Sequence, residues 1–265
     1  MNFVYNKNTF LNPIFWKNMK IIEFFGPPCS GKTSNANLLT KKSSYFISSN
    51  SLIFNYTDEI LKLNIFDKSA LKYMSLVKYL KQFKTMKNKD LKKISYGKKK
   101  SNISLISKNT YTNLMMNRYR GICRRLYNLY SKKNLKFVNF YLGNIKKIKD
   151  KDIRENYKIW FEEIAAKYFI ALNLDINKTV IFDEGFIQRS FFAHHLKNNY
   201  HSKVDEYFSL MNCPDYAIYL DADAKSLLSR SNFRKSLEKN KFVYKNLEDI
   251  KKYKIFFKYV LKKLN

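Results

Sequence analysis

Eight consecutive residues constrain this chain more than any others. Gly26-Pro27-Pro28-Cys29-Ser30-Gly31-Lys32-Thr33 reads G-x-x-x-x-G-K-T, directly after the apolar run Ile21-Ile22-Glu23-Phe24-Phe25, which has the character of a buried strand. A turn of this kind holds phosphate. The glycines let backbone N–H groups converge, the lysine reaches the outer phosphates, and the threonine hydroxyl can ligate Mg²⁺. A helix beginning near Lys32 adds the positive end of its dipole. The chain has only six glycines, so composition alone does not produce the pattern. All eight residues are therefore expected to bind a nucleoside triphosphate, with Thr33 also on the metal.

At 265 residues the chain can bury a sizeable core, and one domain uses all of it. Its 45% hydrophobic and 17% aromatic content excludes a disordered chain despite a formal net charge of +30. Only eight of the 51 basic residues are arginine, a ratio that favours biased composition over a nucleic-acid reader, which uses arginine for its bidentate geometry. Cys29, Cys123 and Cys213 are scattered and form no C-x-x-C pair, which fits a reducing compartment without a disulfide framework or a zinc site. No run reaches membrane-spanning length, and residues 1–20 lack the features of a signal peptide. The expected location is cytoplasmic, with residues 1–18 as an N-terminal extension and 19–265 as the domain.

Periodicity orders the rest. A helix is expected over Thr33 to Thr40, a short strand at Tyr45-Phe46-Ile47, and helical pattern from Thr57 to about Asn173. Within that insertion, Tyr73, Leu76, Val77, Leu80 and Phe83 mark an apolar face opposite Lys72, Lys78, Lys81 and Lys84. Ile94 to Lys108 reads as an exposed loop, and Asp152 as the N-cap of a long helix through Tyr157, Phe161, Ile164 and Tyr168. Strands follow at Thr179 to Phe182 and Tyr216 to Leu220. Strands separated by helices predict an α/β fold in which a parallel sheet is flanked by helices and ligands sit at the strands' carboxyl ends.

The third strand ends in Asp183-Glu184-Gly185. Behind a phosphate loop, such an aspartate can hold Mg²⁺ while the neighbouring glutamate orients or deprotonates a nucleophile, either water or a substrate hydroxyl. If Gly185 opens a helix, Gln188 and Arg189 stand within one turn, and Arg189 could clamp an anion on the acceptor. Its alternative is a surface salt bridge. His194, His195 and His201 suggest a metal, but adjacent helical histidines diverge and no cysteine or paired carboxylate completes a cage. They read as surface or acceptor-pocket residues.

Three segments together resemble the thymidylate kinase and nucleoside monophosphate kinase group of P-loop kinases: the phosphate loop, the strand ending in Asp183, and Pro214-Asp215-Tyr216-Ala217-Ile218-Tyr219-Leu220-Asp221-Ala222-Asp223. The similarity covers residues 19–56 and 179–240. It implies the three-layer P-loop NTPase fold with a large helical insertion, over about 57–173, and a lid, over about 226–240. It also implies ATP and Mg²⁺ as cofactors, and lid arginines, matched here by Arg230 and Arg234, closing over the triphosphate. The chain departs from the pattern at Glu184, where the group tends to carry arginine.

Arg118, Arg120, Arg124 and Arg125 cluster in the insertion and read equally as an anion site, a solvated helix face or a nucleic-acid patch. The leading expectation is a kinase acting on a small-molecule acceptor, namely a nucleotide, nucleoside or sugar-like metabolite. Lys32, Asp183, Glu184, Arg189, Arg230 and Arg234 would be its catalytic residues, with Thr33 and Asp183 on the metal. Its rivals are an ATPase or nucleotide switch working with a partner, and a basic nucleic-acid-binding module.

Overall fold

Four parallel strands carry the molecule. The computed structural model describes residues 21–86, 108–174, 177–196, 200–237, 244 and 246–264, with 78–86, 108–109 and 234–237 described in backbone only. The expectations on the extension 1–18, on the loop through residue 107 and on the side chains of Lys78, Leu80, Lys81, Phe83, Lys84 and Arg234 fall outside them. Strands β1 (Ile21–Phe25), β2 (Phe46–Ser48), β3 (Thr179–Phe182) and β4 (Tyr216–Tyr219) pair in the order β2-β3-β1-β4. Register sets Ile21 opposite Val180, Phe25 opposite Tyr219 and Phe46 opposite Thr179. A strand between two parallel neighbours is covered on both faces, which is why β1 is buried at all five positions.

The two faces of β1 divide the core. Ile22 and Phe24 pack with Ala36 and Leu39 of α1 (Lys32–Lys42), whereas Ile21 and Phe25 join a much larger cluster on the other face. That cluster takes in α2 (Ser49–Leu61), α3 (Ile65–Met86), α4 (Lys108–Lys133), α5 (Leu135–Ile145) and α6 (Lys151–Asn173). It continues into α7 (Phe186–Arg189), the 3₁₀ segment Ser190–Leu196, α8 (Tyr200–Leu210) and α10 (Leu247–Leu264). The remaining helix, α9 (Ala224–Leu237), lies against α10 in a satellite cluster around Leu227, Tyr244 and Ile250. The result is helix, parallel sheet and helices in three layers, with one large apolar mass on the insertion side.

Several boundaries differ from expectation for local reasons. Helical structure begins at Ser49 rather than Thr57, because Ser48 caps α2 by accepting from the Ser51 N–H at 3.2 Å. The cap of α6 is Asp150, whose carboxylate accepts from the Ile153 N–H at 3.0 Å, so Asp152 lies within the first turn. Among the described side chains of α3, Asp67, Ala70, Leu71 and Met74 are buried while Leu76 is 55% exposed, a face rotated from the one periodicity picked out. The C-terminal half of α6 is buried on every side from Ile164 to Ala171, making it the central helix of the insertion.

Phe161 on α6 is fully buried, stacked on Tyr141 at 4.0 Å between centroids and flanked by Phe137 and Phe186. Phe161→Ala should destabilise the chain by about 3–5 kcal/mol, read as a lowered urea midpoint with an unchanged slope. A loss below ~1 kcal/mol would contradict this packing.

Candidate functional site

The turn leaving β1 is shaped by close approach. Gly26 has φ 134°, and a Cβ there would stand 2.2 Å from the Leu220 carbonyl oxygen, so no other residue fits against the end of β4. Cys29, at φ 64°, is one of two described non-glycine residues with positive φ. Gly31 precedes the first turn of α1, which carries no side-chain cap and no acidic residue. The first amides of a helix have no intrahelical partner, so this N-terminus presents donors and a positive dipole end. Ser30 is 1% exposed and its hydroxyl has no hydrogen-bond partner. An orphaned buried hydroxyl inside an uncapped turn is an observation that fits an anion.

Parallel pairing of β1 and β3 brings the acidic pair to this turn. The Thr33 hydroxyl donates to Asp183 Oδ2 at 2.8 Å, joining residues 150 positions apart. Lys32 is 4% exposed, and its ammonium donates to the Gly26 and Pro27 carbonyls, each at 3.1 Å, with Glu184 Oε1 at 3.9 Å. Burial pushes the Lys32 pKa down, and the carboxylates of Glu184 and Asp183 oppose that shift. Arg189 donates to Glu184 Oε2 at 2.7 Å and lies over the Trp160 ring at 4.6 Å, while its buried Nε has no partner. This pair is mostly enclosed on the arginine side, unlike the exposed salt bridge that was its alternative.

Beneath the turn lies Glu23, fully buried in the centre of β1. Its Oε1 accepts from the N–H groups of Gly185 at 3.0 Å and Gln188 at 2.8 Å, and its Oε2 accepts from the Tyr168 hydroxyl at 3.2 Å. The Gln188 side chain in turn accepts from the Gly26 N–H at 3.0 Å. At Gly185 a Cβ would stand 2.4 Å from Glu23 Oε2, so a side chain there would displace the carboxylate from its present contacts. Burial raises the Glu23 pKa from the ordinary 4.5 to about 7, against its hydrogen bonds, which lower it.

On the outer side, Arg230 of α9 donates to the Cys29 carbonyl at 3.3 Å and the Tyr244 hydroxyl donates to the Pro28 carbonyl at 2.8 Å. Arg234 follows Arg230 by one turn on the same helix. Glu23, Trp160 and Tyr244 were missed by sequence reasoning. For Glu23 the signal existed, since one acid interrupts an otherwise apolar central strand. Tyr244 and Trp160 carry no local signal, because tertiary packing alone brings them here.

Other candidates lie elsewhere. Arg125 and Arg118 pair with Asp67 at 2.5 and 3.5 Å, and Arg124 with Glu162 at 3.8 Å. Three members of the arginine cluster are thus matched to carboxylates within the insertion. His194 and His195 are half-buried beside aromatic rings, His194 against Phe191 at 5.0 Å and His195 against Tyr157 at 5.6 Å, whereas His201 is exposed. Burial, helped by His194, pushes His195 down to about 4. Among the described residues no group of three or more His, Cys, Asp or Glu converges as a metal cage. No described helix is long and apolar enough to cross a membrane.

Glu23 gives a pH-dependent prediction. Its folded pKa exceeds its unfolded one, so its contribution to stability is fully present below pH 4.5 and is lost as pH rises through about 7. Glu23→Gln should therefore be more stable than the natural protein by about 3 kcal/mol at pH 8, with the gap closing near pH 4.5. Denaturant unfolding across that range checks it, and a gap that widens toward acid would contradict it.

No family model matches this chain, and neither a curated protein nor a solved structure matches it significantly. Function is therefore argued from the geometry of Gly26 to Thr33 and the groups around it.

Proposed function

We propose that the chain is an ATP- and Mg²⁺-dependent P-loop kinase of the thymidylate kinase-like kind, acting on a small-molecule hydroxyl or phosphate acceptor. The observation that carries this reading is the 2.8 Å bond from Thr33 to Asp183, which unites the phosphate loop with the strand-end acid. Mg²⁺ favours one or two protein oxygens together with phosphate oxygens and water, and Thr33 and Asp183 offer such a pair. Bound Mg²⁺ would neutralise charge on the transferred phosphoryl group.

The chain's own groups supply the rest. The uncapped amides of α1, the Ser30 hydroxyl and the Lys32 ammonium bind and orient the phosphates. Glu184, held by Arg189 through Oε2, presents Oε1 toward Lys32 and is placed to orient the acceptor hydroxyl and take its proton. Arg189, backed by Trp160, fixes that carboxylate. Arg230, already on the loop at Cys29, closes the outer side and offsets negative charge. Three pairings within the arginine cluster use charge that a phosphate backbone would need, which supports this reading over nucleic-acid binding.

Transfer of the labelled γ-phosphoryl group of ATP to a metabolite mixture tests the proposal. A labelled small-molecule product is expected, lost by about 10²-fold or more in Lys32→Ala and in Asp183→Asn. Steady release of inorganic phosphate with no labelled acceptor, stimulated by a partner protein, would replace the kinase by an ATPase or switch.

A further inference from the structure

A carboxylate in the middle of a central strand needs a reason. Glu23 shares its face of β1 with Ile21 and Phe25, which enter the large apolar cluster, and Tyr168 and Phe186 of that cluster lie on this side. Among the described residues no cation pairs with it, so its charge is met by backbone amides at Gly185, Ile187 and Gln188 and by the Tyr168 hydroxyl. Tyr207 and Cys213 are the further titratable groups that feel its charge. The apolar residues around it do not call for a carboxylate here, and its hydrogen bonds show where it acts.

Those bonds form one continuous chain. Oε1 receives both the Gly185 N–H, one residue after the acidic pair, and the Gln188 N–H. The Gln188 side chain then fixes the Gly26 N–H, the first amide of the loop. Gly26 itself is pressed against Leu220, so a shift at this amide is resisted from the other side. We infer that Glu23 is a positioning residue that locks the phosphate loop to the acidic turn, acting through the Gly185 and Gln188 amides and the Gln188 side chain. The inference rests on the reading of Gly26 to Thr33 as a nucleotide-binding loop. It adds that the distance between loop and acids is set from beneath, by a group that touches neither phosphate nor acceptor.

Calorimetric titration of the full chain with ATP and Mg²⁺ at pH 8 tests it. Glu23→Leu leaves the two amides without their acceptor and should bind about tenfold more weakly. Glu23→Gln keeps Oε1 and should bind within about twofold of the natural protein. That split separates positioning from bulk structure, because the charge-free but acceptor-bearing variant retains binding. Should Glu23→Leu fail to fold, Gln188→Leu, which cuts only the branch to Gly26, should still weaken binding about fivefold. Natural affinity in a folded Glu23→Leu chain, equal loss in both Glu23 variants, or an unaffected Gln188→Leu overturns the inference while leaving the nucleotide reading intact. No binding by the natural protein overturns both.

Discussion

Parallel pairing of β1 with β3 is the constraint on which the rest depends. It sets Glu23 opposite Phe182, so the turn after Phe25 and the turn after Phe182 leave the sheet at the same edge, side by side. In a parallel sheet every carboxyl end lies on one side, and adjacent strands whose connections diverge leave a crevice there. The loop glycines, the buried lysine and the acidic pair owe their proximity to that register. Only then do Thr33 and Asp183 come within hydrogen-bond distance across 150 residues of intervening chain.

That intervening chain is mostly the helical insertion, and it completes the site as well as filling space. Its central helix, α6, sends Tyr168 to the buried carboxylate and Trp160 to the face of Arg189. The same helix anchors the aromatic stack around Phe161, so the supports of the site and the largest part of the core are one body. Rigid support of this kind suits a site whose chemistry depends on placement. The outer side is built differently: Arg230 and Tyr244 hold only the carbonyls of Cys29 and Pro28, at the loop's solvent-facing rim.

What the sequence revealed was local. The loop's residue types carry their own geometry, and strand β3 with its acids was legible because an apolar run ended in charge. The start of α2 at Ser49 was not, because its hydrogen-bond cap, not the apolar period, decides where that helix begins. Leu76 misled for the opposite reason: the period was present, but partners on α4 and α2 select a neighbouring face. Glu23 stood in plain view, yet its significance needs the third dimension, since its partners lie 145 to 165 residues away. The arginine cluster could not be read from spacing, because the carboxylates that match it come from other helices.

The central claim is that the turn after β1 takes up a triphosphate with magnesium. The most direct measurement is amide hydrogen exchange across residues 21–40, with and without ATP and Mg²⁺. The account predicts that exchange slows at Cys29 to Thr33 on addition of the nucleotide, and that this protection is absent in Lys32→Ala. Unchanged exchange throughout this segment at saturating nucleotide would contradict it.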